Sequence, residues 1–233
     1  CCLLPLISVP AQAADVPDGW LDVPVPKARP AVTDASMAEG KRIYNFRCSP
    51  CHGAKGDGEG PAAKFLDPRP RDFTVPNFKF RTTRQSELPL DEDLFRTVTR
   101  GVPGTAMPSW AALSEADRWN VIAYIKTFAS DFFFDAAFDP KREEDGRTFV
   151  LNIGEPPPVT PGLIAEGKWI YEKDGKCVEC HGFGGRGNGT SAGNQFTAAR
   201  HRVWPRNLAD GLRYGAGSTA RDVFRTITAG LNG

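Results

Sequence analysis

Two short cysteine motifs constrain this chain more than its length or composition does. Cys48-Ser49-Pro50-Cys51-His52 and Cys177-Val178-Glu179-Cys180-His181 stand 129 residues apart in a chain of 233. On one turn of helix, cysteines at i and i+3 share a face. Both thiols can then reach the two vinyl groups on one porphyrin edge, and the histidine that follows projects its imidazole toward the iron. The spacing therefore predicts two covalently bound haem c groups, attached through Cys48, Cys51, Cys177 and Cys180, with His52 and His181 as iron ligands. Zinc fits less well, because a structural site takes four donors, usually as two nearby pairs. A thioredoxin-like pair would expect a βαβ pattern around it, which the flanking sequence lacks.

The flanks of the motifs repeat as well. Gly40-Lys41-Arg42-Ile43-Tyr44 precedes the first and Gly167-Lys168-Trp169-Ile170-Tyr171 the second. In both, a glycine and an aromatic four residues on share a helical face, so a second helix can approach at the glycine and pack on the ring. Pro70-Arg71-Asp72-Phe73 is echoed by Pro205-Arg206-Asn207-Leu208. Asp93-Leu94-Phe95-Arg96-Thr97-Val98-Thr99-Arg100-Gly101 is echoed by Asp222-Val223-Phe224-Arg225-Thr226-Ile227-Thr228-Ala229-Gly230, again at an offset of 129. The repeat divides the chain into an N-terminal extension (14–32), a first domain (33–139), a linker (140–159) carrying Pro156-Pro157-Pro158, and a second domain (160–233). The first copy runs on through Met107 after its last echo, whereas the second has three residues left. The second domain is thus expected to be incomplete at its C-terminus.

Residues 3–13 read as the tail of an apolar leader ending in an A-x-A site, Ala11-Gln12-Ala13. Residues 1–13 are accordingly a signal-peptide remnant, and the expected compartment is a bacterial periplasm. No other stretch approaches the apolar length that spans a bilayer, so membrane contact is expected only through a partner or a segment outside the chain. The 29 Lys and Arg nearly balance the 28 Asp and Glu. A net charge of +1 lacks the basic excess that a nucleic-acid binder needs. Gly and Pro, 24 and 20 residues, favour short helices joined by long shaped loops.

With these motifs on the page, the chain resembles class I cytochromes c fused in tandem. The resemblance implies an all-α fold of two such domains, each with an N-terminal helix ending at C-x-x-C-H and a C-terminal helix crossing it. In the first domain that last helix is legible unaided, from a capping-box-like start at Ser114 and a stripe of Val121, Ile122, Ile125 and Phe128. The resemblance also implies Met107, in its Gly/Pro loop, as the sixth iron ligand opposite His52. It implies Pro61 as the carbonyl that orients the His52 ring, although Thr190 stands at the matching place in the second copy. Arg71 and Arg206 are candidates for holding haem propionates. For the second haem, the distal ligand is either His201 or a methionine beyond residue 233.

The function expected is a dihaem electron carrier passing single electrons between redox-partner proteins, with no small-molecule substrate identified. Two alternatives stand beside it. One is a dihaem enzyme, peroxidase-like or thiosulfate-oxidising, which needs an open or unusually ligated iron. The other is an N-terminal electron-transfer module of a longer oxidoreductase with a haem-b-binding domain, to which the run from Phe78 to Trp110 bears a likeness.

Overall fold

A computed structural model describes residues 16–144, 147–196, 201–210 and 214–231. The expected signal-peptide remnant (1–13), with Cys1, Cys2 and the A-x-A site, lies outside the described residues. Helix α1 (Asp34–Ile43) starts at Thr33, whose side chain accepts from the Ser36 amide in a capping box. The helical path widens into a π-turn (Tyr44–Cys48) and tightens again in α2 (Ser49–His52), the single turn that carries the first cysteine motif. Helix α3 (Asp91–Arg100) and helix α4 (Glu115–Lys126) complete the first copy. Ser114 caps α4 by accepting from the Asp117 amide, as its sequence anticipates.

Gly40 decides how α1 meets α4. A Cβ there would lie 2.1 Å from the carbonyl oxygen of Asn120, so only glycine allows the two helices to cross this closely. Around the crossing lie Ile43, Tyr44, Val121, Ile122 and Ile125, all buried, with Phe95 stacked on Trp119 at 4.3 Å. The stripe read from sequence is thus the face that α4 turns inward.

The connecting segment is more structured than an extended linker. Helix α5 (Ser130–Phe133) sets Phe133 edge-on against Phe78, so the phenylalanine run covers the first copy. Strands β1 (Glu143–Glu144) and β2 (Arg147–Thr148) then form a short antiparallel hairpin. The hairpin docks by backbone bonds from Arg84 N–H to Phe149 O and from Leu151 N–H to Thr82 O, 2.9 and 2.8 Å. Arg142 lies over the Phe149 ring at 4.0 Å and pairs with Glu87. Only the proline stretch, 152–159, runs exposed and extended.

The second copy repeats these elements as α6 (Pro161–Trp169), a π-turn (Ile170–Asp174), α7 (Val178–His181) and α8 (Ala220–Ala229). Five residues lie between Tyr171 and Cys177, against three between Tyr44 and Cys48. The two extra residues break the helical path at Gly175 and Lys176, the latter with φ of 51°. Helix α6 has no counterpart of α4 over it among the described residues. A Cβ on Gly167 would meet nothing within 4 Å, and Ile164 and Ile227 are 61% and 78% exposed.

Candidate haem site

Cys48, Cys51 and His52 share one helical turn, and both thiols are free and half-buried. The loop that follows folds back on that turn through its own backbone. Gly58 N–H donates to His52 O, Gly60 N–H to Cys51 O and Ala62 N–H to Pro50 O, at 2.9 to 3.1 Å. Gly60 is required for this closure, since a Cβ there would sit 2.5 Å from the carbonyls of Ser49 and Pro50. Segment 70–73 then pairs with the loop, Phe73 N–H donating to Gly56 O at 2.6 Å. That pairing brings the Arg71 carbonyl to 2.9 Å from His52 Nδ1.

A carbonyl can only accept, so Nδ1 carries the proton and Nε2 keeps its lone pair for a metal. Burial lowers the His52 pKa, outweighing the Arg71 carbonyl, which raises it, and so favours the neutral ligating form. Phe73 stacks on the imidazole at 4.4 Å and 17°, fixing its plane. The Tyr44 hydroxyl donates to Gly53 O at 2.8 Å, tying the end of α1 to the residue after the histidine. Burial, with the neighbouring Cys51, raises the Cys48 thiol to about 12.

The second copy reproduces this wiring. His181 Nδ1 lies 2.9 Å from Arg206 O, and Tyr171 donates to Gly182 O at 2.7 Å. Gly187 N–H donates to His181 O, Gly189 N–H to Cys180 O and Leu208 N–H to Gly185 O. The expectation for Pro61 is corrected here. Pro61 is exposed, beside the Ala62 amide that is bonded to Pro50 O. The orienting carbonyl belongs to Arg71, and to Arg206 in the second copy, so Thr190 in place of Pro61 has no bearing on it. The echo of Pro-Arg before an apolar residue held the signal, in its backbone more than in its charge. Stacking by Phe73 carries no sequence mark, since its echo is Leu208; Tyr44 and Tyr171 stand out in the repeat as packing rings, not for the bonds of their hydroxyls.

Met107 lies half-buried in a loop closed by Val102 N–H to Met107 O at 3.0 Å and Met107 N–H to Thr105 Oγ1 at 3.1 Å. Trp110, further along that loop, lies under the Arg47 guanidinium next to Cys48 and buries its Nε1–H without a protein partner. Two unpaired thiols, a neutral imidazole on the same turn and an orphaned buried donor fit a covalently held haem. His201 is exposed, and Arg206 lies over the Tyr214 ring at 5.7 Å.

Residues 35–125 match the family Cytochrome C oxidase, cbb3-type, subunit III. The chain is 25% identical over 204 residues to the Cbb3-type cytochrome c oxidase subunit FixP of Azorhizobium caulinodans, covering 88% of this chain and 54% of the relative. It thus spans about half the length of that curated relative. Among solved structures, a chain of the Kuenenia stuttgartiensis reducing HAO-like protein complex Kustc0457/Kustc0458 superposes with a TM-score of 0.76. The two are 36% identical, over 91% of this chain and 88% of that one. The chain is a c-type cytochrome, of one family with that solved chain. Covalently bound haem c and haem-based electron transfer follow from the family. Among the described residues, no helix of this cytochrome is long and apolar enough to cross a membrane.

Proposed function

We propose that the protein is an exported, periplasmic dihaem cytochrome that passes single electrons between redox proteins. The carrying observation is the duplicated wiring: each C-x-x-C-H turn has its Nδ1–H donated to a carbonyl at 2.9 Å, from Arg71 in one copy and Arg206 in the other. Haem c supplies a reversible one-electron couple when bound. In this reading Cys48, Cys51, Cys177 and Cys180 hold the porphyrins, while His52 and His181 present Nε2. Met107 would hold the iron of the first site together with His52, and an iron so held would leave no place for peroxide or other small oxidants. Arg71 and the nearby Lys79 are both partly buried, and burial lowers the pKa of each. They are assigned to the propionates, whose charge would offset that burial. The exposed face of α6 and α8, with Ile164 and Ile227, is the apolar surface that this reading leaves for a partner to cover.

The named relatives support a place in a larger assembly, because one is an oxidase subunit and the other part of a multi-protein complex. Reductive titration of the isolated holoprotein tests the reading. Two electrons per chain are expected, with no turnover of added peroxide or thiosulfate. One electron per chain, or turnover of either compound, overturns it.

A further inference from the structure

The electron-carrier reading leaves the longest echo in the sequence, the nine residues around Phe95 and Phe224, without a role. In the structure these are α3 and α8, and they meet across the segment 17–23. Trp20 is fully buried there. Arg96 and Arg225, which hold the same place in the two helices, both lie over its indole, 5.5 and 4.7 Å from the ring centre. Its Nε1–H donates to Thr97 of α3, while the amides of Trp20 and Leu21 donate to Asp222 of α8 at 3.1 and 2.9 Å. Arg100 of α3 donates to the carbonyls of Pro17 and Asp18 in this segment and to Gly215 before α8.

The bonds to Asp222 have a counterpart. Asp93, at the same helical position in α3, accepts from the Thr82 amide at 2.8 Å and from its hydroxyl. Nineteen residues lie between Phe73 and Asp93, but only thirteen between Leu208 and Asp222. The second copy is six residues shorter over this span, and the N-terminal segment supplies amides that reach Asp222. Arg81, next to Thr82, reinforces the join by donating to the Ala229 carbonyl, and Arg225 donates to the Arg81 carbonyl. Donors matched to backbone carbonyls demand a single geometry, since a shifted interface would leave buried guanidiniums unpaired.

We propose that segment 17–23 is a clasp that completes the shorter second copy and fixes α8 on α3. The two cysteine motifs are thereby held in one relative orientation. The clasp itself does not depend on how many haems are bound; only its value for electron transfer between them rests on the dihaem reading.

Gly19→Ala probes the clasp without removing a contact from either copy. A Cβ at Gly19 would lie 2.9 Å from Cγ2 of Thr219, the cap of α8, so segment and cap must part, while the exposed Asp22 carboxylate at 2.1 Å can swing aside. Hydrogen exchange and small-angle scattering on the full-length holoprotein would compare wild type, Gly19→Ala and Trp20→Ala. Both variants should exchange at least about tenfold faster in peptides covering 17–23 and 219–229 and show a larger radius of gyration. The Thr82 amide, bonded within the first copy, should keep its protection, and the haem absorbance its wild-type form. Wild-type exchange and radius in Gly19→Ala would overturn the proposal. So would loss of Thr82 protection in step with the segment, which would make 17–23 part of the first core. A covalent-haem count on the same samples separates failure of the clasp from failure of the dihaem reading.

Discussion

Replacing Gly40 with alanine sets two known effects against each other. Alanine in a helix interior gains about 1 kcal/mol over glycine. Against that, its Cβ would lie 2.1 Å from Asn120 O and 3.2 Å from Tyr124 Cβ. Carbon–oxygen contacts settle near 3.3 Å, so α1 and α4 must separate by about 1 Å. Overpacking of a fitted core typically destabilises by about 1–3 kcal/mol, and a backbone obstacle on a rigid helix belongs at the upper end. The net loss is about 2 kcal/mol, or a melting temperature lower by about 8–16 °C for a unit of this size. Thermal unfolding of the holoprotein followed by circular dichroism measures it. A melting point unchanged or raised would refute the claim that glycine sets this crossing. Gly167→Ala gives the contrast, because no atom lies within 4 Å of its Cβ. In the 233-residue chain it should be neutral or stabilise by up to about 1 kcal/mol.

Three further predictions concern single groups. In apoprotein carrying Cys51→Ala and held at pH 8, Cys48 should react with iodoacetamide at least about tenfold more slowly than a free cysteine, because burial, the larger cause of its raised pKa, keeps it protonated. Peptide mass spectrometry of the time course would show this, and reaction at the free-thiol rate would contradict it. Met107→Ala should let one haem, and no more, gain carbon monoxide binding in a visible-absorbance titration; an unchanged titration would remove Met107 from the ligand set. Burial raises the Asp93 pKa to about 6 from an ordinary 3.8. The folded state therefore holds this proton more tightly than the unfolded chain does, and the group's contribution to stability falls as pH rises from about 4 to 6. The stability of wild type relative to Asp93→Asn should drop by about 3 kcal/mol across that window in denaturant titrations, and a flat difference would refute the assignment.

Much of the site was legible because its chemistry demands particular residues at fixed spacing. Cysteine, cysteine and histidine on one turn leave little freedom, and the structure holds both copies in that form. The capped start and buried stripe of α4 were equally legible, being local and periodic. Contacts set by backbone were not. The carbonyl on His52 comes from Arg71 because segment 70–73 pairs with the glycine loop, and any residue at 71 would offer the same oxygen. The stretch 140–151 appeared to be linker because a two-residue hairpin carries no periodicity, yet Arg84, Arg142 and Phe149 fasten it to the first copy. Trp20 lay in an apparent N-terminal extension. Nothing near it in sequence indicates that its partners are 77 and 202 residues away.

The most direct test of the account is the intact mass, under denaturing conditions, of the native full-length protein from its source. The account predicts a chain heavier by the mass of two haems, with proteolytic fragments placing one on Cys48 and Cys51 and the other on Cys177 and Cys180. A mass with one haem would remove the second copy from the electron path, and a mass with none would contradict the account as a whole.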